Sequence, residues 1–499
     1  MRSLAFRTLP LLALGLAACA DQSASPLDPS APLAASASAA GDRAAARRVV
    51  VFRAATGAPQ GFAARVRALG GTVEAQLAPV GAAVVAGLSD EAAASLAASA
   101  DVQSVEGGGY VLDARAGEPV EMEAEVAAAA VASTAEPRTA RLYSYGWNMR
   151  AIRADAAWAA GELGSPNVTV AILDTGIDPT GPDLVGLVDL ARSRSFVAAD
   201  DSVTRERFPT RAVWTDLEGH GTNVAAQVSS NAAWLAGVTS RTKLMAVRVC
   251  SVYGGFCSDA ATIQGIVYAV DAGADVINLS VGGSVFKSQG RGSIAAYQRA
   301  FGYAHRKGVT VVVAVGNGAV DRDHDGDAYA TYCGAPNVIC VSATGPLSDG
   351  GGAGPFEEPD AFAAFSSYGR SAVDVAAPGG NWKTEDFSYG EETWTVVTGQ
   401  SRVWSICSKS KLTYDPTFPV LLPNVCSTRP GTHFLSGYQG TSQATPHVAG
   451  LAALLVARHG RDPSAVRRAI VAGADDLGQP GTDPFYGKGR INVARSLGL

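Results

Sequence analysis

The chain has 499 residues, of which 47% are hydrophobic and 17% charged, and its net charge is -6. It is longer than one ordinary core organises and too apolar for wholesale disorder, so two or more folded units are expected. The mild acidity offers no basic footprint for nucleic acid and no polybasic stretch to hold an anionic membrane, which excludes both as charge-driven partners.

Arg2 and Arg7 precede the apolar run Leu9 to Ala18, which is too short to span a bilayer and reads as a signal-peptide core. The run ends in Leu16-Ala17-Ala18-Cys19, which resembles the lipobox of bacterial lipoproteins. Residues 1–19 are therefore expected to be a lipoprotein-type signal, with Cys19 as the lipidated residue of an exported, envelope-anchored precursor. The membrane would then be a partner only through that lipid. Residues 20–48, rich in Ala, Ser and Pro, read as a flexible tether.

A small domain is expected over 49–113. Val49 to Phe52 reads as a strand, Gly61 to Leu69 as a helix, Thr72 to Leu88 as two strands around Pro79, Asp90 to Ala98 as a helix, and Val102 to Val111 as a strand. The order β-α-β-β-α-β predicts a ferredoxin-like α+β unit. Residues 114–140, rich in Ala and Glu and without periodicity, read as a linker that holds a processing site.

From residue 141 to 499 the texture is that of an α/β domain. Val168 to Leu173, Lys243 to Val249, Val276 to Leu279, Val309 to Val315 and Val338 to Ala343 are β-branched runs separated by Ala-rich helical segments. Strands apolar on both faces predict a mostly parallel sheet covered by helices, with working residues at the carboxyl ends of its strands. Apart from Cys19 there are six cysteines, neighbours in sequence as Cys250 and Cys257, Cys333 and Cys340, Cys407 and Cys426. Export permits disulfides, but the spacing alone does not choose a pairing, and no zinc pattern is present.

Hydrolysis of an amide needs a nucleophile, a base, a group that orients the base, and donors for the oxyanion. Asp174 ends a strand in Asp174-Thr175-Gly176, His220 opens a helix in Gly219-His220-Gly221-Thr222, and Ser442 lies in Gly440-Thr441-Ser442-Gln443-Ala444-Thr445-Pro446. In the order Asp, His, Ser these motifs resemble the subtilases. The resemblance extends to Asn278-Leu279-Ser280-Val281-Gly282-Gly283, Gly316-Asn317-Gly318, Ala377-Pro378-Gly379 and His447-Val448-Ala449-Gly450.

The resemblance implies a subtilisin-like fold and a serine endopeptidase that needs no cofactor for its chemistry, with proteins or peptides as substrates. It implies a triad of Asp174, His220 and Ser442 and an oxyanion hole of Asn317 and the Ser442 amide. It also implies that 49–113 is a propeptide that assists folding and inhibits the enzyme. Substrate would lie between Ser280-Val281-Gly282 and a wall near Gly254 and Gly255, where a Cys250 to Cys257 disulfide would pin the loop. The competing reading is a catalytically idle subtilase fold that binds partners at the surface. A lipase or esterase would instead carry Gly-x-Ser-x-Gly with the acid between serine and histidine.

Three departures carry expectations of their own. Gly181-Pro182-Asp183-Leu184 and Asn223 stand where many subtilases carry a histidine, which touches local support and leaves the triad intact. Asp321, Asp323 and Asp325 open like a calcium loop, but Tyr332 falls where the closing acid belongs, so an EF-hand is rejected and a looser structural calcium site is the expectation. The same carboxylates, just after Asn317, would favour basic substrates. Finally, an insertion over about 381–436, holding Cys407 and Cys426, is expected to border the cleft.

Overall fold

The computed structural model describes residues 47–111, 115–116, 120–122, 136–389, 392–429 and 431–499. The signal segment with Cys19, the tether up to residue 46 and most of the linker lie outside the described residues. No described helix is long and apolar enough to cross a membrane.

Strands Arg47–Phe52, Thr72–Leu77, Ala82–Ala86 and Val102–Glu106 form an antiparallel sheet, with helices Phe62–Ala68 and Asp90–Ala97 after the first and third. The Ala82–Ala86 strand pairs with both Arg47–Phe52 and Thr72–Leu77, and Val102–Glu106 lies outside Arg47–Phe52. This is the expected ferredoxin-like arrangement. The apolar run in Arg47–Phe52 is unbroken because both faces are covered. Val50 and Phe52 pack with Phe62, Val66 and Leu96 of the same domain, while Val49 and Val51 share a second cluster with Ile263, Ala296 and Ala300 of the following domain.

The following domain is built on seven parallel strands in the order Val375–Pro378, Val338–Thr344, Thr310–Ala314, Val276–Leu279, Thr169–Asp174, Lys243–Arg248 and Arg194–Ser195. Along Thr169–Asp174 the side chains alternate. Val170 and Ile172 face helices His220–Val228 and Thr441–His459, and Ala171 and Leu173 face helices Asp259–Asp271 and Arg291–Arg306. Burial on both faces explains why the strands lack polar alternation.

Two elements differ from the sequence reading. Val102 to Val111 is not one strand: pairing with the small sheet ends at Glu106, and Gly109–Val111 pairs antiparallel with Phe256–Ser258 of the large domain. In the expected linker, Arg115–Ala116 and Val120–Met122 pair with His433–Gln439. An open strand edge recruits chain through backbone groups alone, so this pairing needs no side-chain pattern that a sequence would display.

The insertion contributes two hairpins, Asn381–Tyr389 with Glu392–Ser401 and Leu412–Asp415 with Val420–Pro423, and a pairing of Val403–Ile406 with His433–Gln439. Disulfides join Cys250 to Cys257, Cys333 to Cys340 and Cys407 to Cys426, each cysteine to its neighbour in sequence.

Candidate active site

Asp174 is the last residue of a central strand, so its side chain emerges at the carboxyl edge of the sheet. Its Oδ1 accepts Thr175 N at 2.7 Å and is 2.8 Å from His220 Nδ1. His220 is the first residue of its helix. Close approach there depends on Gly221, where a methyl group would lie 2.2 Å from Gly176 O. The turn before it is held by Asp216: Oδ1 accepts Glu218 N and Gly219 N at 2.9 and 2.8 Å, and Oδ2 accepts Thr222 N at 2.9 Å. Glu218 Oε2 accepts His220 N at 2.7 Å. Two carboxylates thus cap the exposed amides of the histidine helix.

Ser442 is the second residue of helix Thr441–His459. Pro446 lies in its second turn and cannot donate to the Ser442 carbonyl. Ser280 Oγ fills that vacancy at 2.7 Å, and Ser442 Oγ in turn donates to Ser280 O at 2.9 Å. His220 Nε2 is buried without a hydrogen-bond partner, so in this structure the serine proton is turned away from the base.

Asn317 Oδ1 accepts Thr441 N and Oγ1, both at 2.8 Å, which fixes the orientation of the amide. A methyl group on Gly440 would lie 3.3 Å from Asn317 Nδ2 and 3.5 Å from Ser442 N. The two donors therefore border one small space beside the serine, and the glycine leaves it open.

Asp174 and His220 are almost wholly buried. Burial alone would push the imidazole down, but Asp174, Glu218 and Asp216 together hold His220 above its usual value. Lys411, from the insertion, lies beside them. Its Nζ donates to Tyr438 Oη at 3.1 Å and would sit 3.2 Å from a methyl on Gly219. The Tyr438 ring meets His220 edge to face, with centroids 5.8 Å apart. Although burial opposes its charge, Tyr438, Glu218 and Asp216 raise Lys411 above the ordinary lysine value.

The sequence reading missed Asp216, Glu218, Lys411 and Tyr438. Glu218, two residues before His220, was visible as an acid at a helix start; Lys411 lies 191 positions after His220, and nothing local pointed to it. The insertion reaches the turn before His220. Ser408 Oγ donates to Asp216 O and Leu412 N to Leu217 O, both at 2.7 Å, so it braces that turn. Asn223, left open by the sequence, donates through Nδ2 to Val403 O and Ser436 O at 3.2 Å, tying the histidine helix to the same insertion.

Ser280 lies beside Ser442 through their reciprocal hydrogen bonds, with Val281 and Gly282 following it. The segment that pairs with Gly109–Val111 is Phe256–Ser258, while Gly254 and Gly255 form the preceding turn at φ 71° and 68°. Tyr110 of the chain itself is buried here, its hydroxyl 2.5 Å from Thr331 Oγ1 and its ring against Tyr332. The acidic loop is not gathered into one site. Asp321 Oδ2 meets His324 Nδ1 at 2.8 Å, Asp323 accepts Ser371 Oγ and Arg370 N, and Asp325 faces Arg322 and Lys287. Among the described residues no three His, Cys, Asp or Glu side chains form a metal-holding group. Asp183, the other departure, is buried and accepts Trp234 N at 2.8 Å.

An aspartate, histidine and serine at the carboxyl edge of a parallel sheet, with paired donors beside the serine, define a serine hydrolase. Residues 165–489 match the subtilase family, described as a peptidase family, and the chain belongs to it. It is a serine endopeptidase that acts on proteins or peptides. Thermitase from Thermoactinomyces vulgaris is 32% identical over 349 residues, which cover 69% of this chain and 93% of thermitase. Subtilisin DY from Bacillus licheniformis is 30% identical over 346 residues, covering 68% and 94%. The epidermin leader peptide processing serine protease of Staphylococcus aureus shares the fold with a TM-score of 0.62 at 20% identity, covering 91% of this chain and 98% of that one.

Proposed function

We propose that the chain is the precursor of an exported serine endopeptidase that works through an acyl-enzyme and begins by cutting itself. The observation that carries this reading is the course of its own backbone. Gly109–Val111 pairs with Phe256–Ser258 and Arg115–Ala116 pairs with Tyr438 and Gln439, just ahead of Ser442, so the described segments before and after residues 112–114 are both held as extended strands, which supports reading the chain as its own first substrate. The small domain, packed on helices Asp259–Asp271 and Arg291–Arg306, then serves as inhibitor and folding template. With the signal segment and Cys19 on the same side of the cut, the lipid belongs to the precursor, and the protease domain is released.

For catalysis Ser442 turns from Ser280 O toward His220. Its Oγ bonds to the substrate carbonyl carbon as its proton passes to His220 Nε2. Asp174 holds the imidazole by Nδ1 and steadies the cation, while Asn317 Nδ2 and Ser442 N receive the oxyanion. The C–N bond breaks as His220 returns the proton to the leaving amine. Water then repeats the sequence in reverse and frees the acid.

Ser442→Ala tests the whole reading. The wild type should hydrolyse casein and yield a shortened chain, whereas the variant should do neither and should accumulate full-length precursor. A wild type that neither hydrolyses casein nor reacts with a fluorophosphonate at Ser442 would favour the idle binding protein.

A further inference from the structure

Ser442 Oγ rests on Ser280 O and Asn317, which follows Gly316, accepts Thr441 N, so Ser280–Ser284 and Val315–Asn317 are the two segments next to the serine, and the side chain on the acyl side of the cut bond, P1, would pack against them. Two glycines face each other between these segments, and a methyl on Gly282 would lie 3.4 Å from Gly316 Cα. One guanidinium bridges the segments. Arg322 Nη1 donates to Ser284 Oγ at 2.5 Å and Nη2 to Val315 O at 3.2 Å, and Nη2 would lie 3.0 Å from a methyl on Gly316.

Only 6% of the Arg322 side chain is exposed, and its Nε has no hydrogen-bond partner. The nearby charges do not cancel. Asp325 Oδ2 is 4.0 Å from Arg322 Nη1 and its Oδ1 is 4.0 Å from Lys287 Nζ, so a single carboxylate serves two cations. Asp321 is engaged with His324 and Asp323 with Ser371. Arginine suits such a place, being weakly hydrated and shaped to meet a carboxylate.

We propose that Arg322 is a specificity-determining residue that selects aspartate or glutamate at P1. The inference rests on the endopeptidase reading above and deepens it. The chain's own sequence agrees. Val111 lies opposite Phe256 and Arg115 opposite Gln439, and between them run Leu112, Asp113 and Ala114, of which Asp113 alone is charged. Self-cleavage after Asp113 would leave Ala114 as the mature N-terminus.

Fluorogenic peptides that differ only at P1, carrying Asp, Glu, Ala, Lys or Phe, test this on mature enzyme whose active sites are counted with a fluorophosphonate. The acidic peptides should exceed the Ala and Lys peptides in kcat/KM by about tenfold or more, equivalent to about 1.4 kcal/mol. Arg322→Gln should collapse the Asp to Ala ratio, and Arg322→Glu should turn the preference toward Lys. In the whole chain Asp113→Lys should slow loss of the precursor about tenfold, and Arg322→Glu in the same chain should restore it. A wild type that prefers Lys or Phe, a ratio untouched by Arg322→Gln, or an Asp113→Lys precursor that matures at the normal rate overturns the inference. Should the Arg322 variants not fold, the wild-type ratio and the Asp113→Lys rate still decide it. A wild type that does not react with the fluorophosphonate overturns the endopeptidase reading instead.

Discussion

A histidine that must take a proton works only when neutral, and three carboxylates crowd His220. Catalysis is therefore lost as pH falls through a pKa that Asp174, Glu218 and Asp216 hold above the usual one. Glu218→Gln removes one of those charges and still offers an oxygen to His220 N, while Asp174, Asp216, Lys411 and Tyr438 remain. The acid limb of kcat/KM should move to lower pH, and a limb that stays or rises counts against this electrostatic account. His447 is the opposite case. Its Nδ1 donates to Gln443 O and its Nε2 accepts from Asn148 Nδ2, both at 2.8 Å, and burial pushes it down to about 4. The folded state refuses a proton that the unfolded chain accepts near pH 6.5, so this stability is present above that pH and declines as pH falls toward 4. The loss approaches about 3 kcal/mol. Denaturant unfolding of the Ser442→Ala chain at pH 7 and pH 4.5 should show it, and adding His447→Gln should shrink the difference.

Among the elements, the Arg291–Arg306 helix explains how the small domain is held. Glu106 Oε1 and Oε2 accept Gly292 N and Ser293 N, both at 2.6 Å, placing a carboxylate at the helix N-terminus. Arg299 Nη1 donates to Phe52 O at 2.9 Å from the same helix. Charge-assisted pairs of this kind contribute about 1.5 to 3 kcal/mol. Glu106→Ala in a separately produced residue 20–113 segment should therefore raise its inhibition constant for the mature enzyme by roughly 10- to 100-fold. The insertion is tested by removing Ser405 to Thr428. Because Ser408 and Leu412 brace the turn before His220, and Lys411 neighbours Glu218, hydrolysis of a small ester should fall along with that of peptides. Preserved ester turnover with altered peptide preference would return the insertion to a role at the cleft rim alone.

At the scale of the whole molecule, the anchor and the enzyme are expected to part. A Ser442→Ala chain should keep Cys19 and incorporate a radioactive fatty acid, whereas the mature wild-type enzyme should carry neither, as mass spectrometry of its N-terminus would read. The sequence by itself determined the parallel sheet, the ferredoxin-like unit and the positions of Asp174, His220, Asn317 and Ser442, because each depends on a few consecutive residues: an apolar run before an acid, a glycine before a helix, a serine at a helix start. It located the cysteine neighbours and the insertion for the same local reason. Only the tertiary structure decided that Glu218 and Lys411 share the surroundings of His220, that Ser280 answers the donor missing at Pro446, and that Arg322 rather than its acidic neighbours lies against Val315 and Gly316. Those relations join groups far apart in sequence or turn on which way a side chain points, and both are set by packing and hydrogen bonding across the fold.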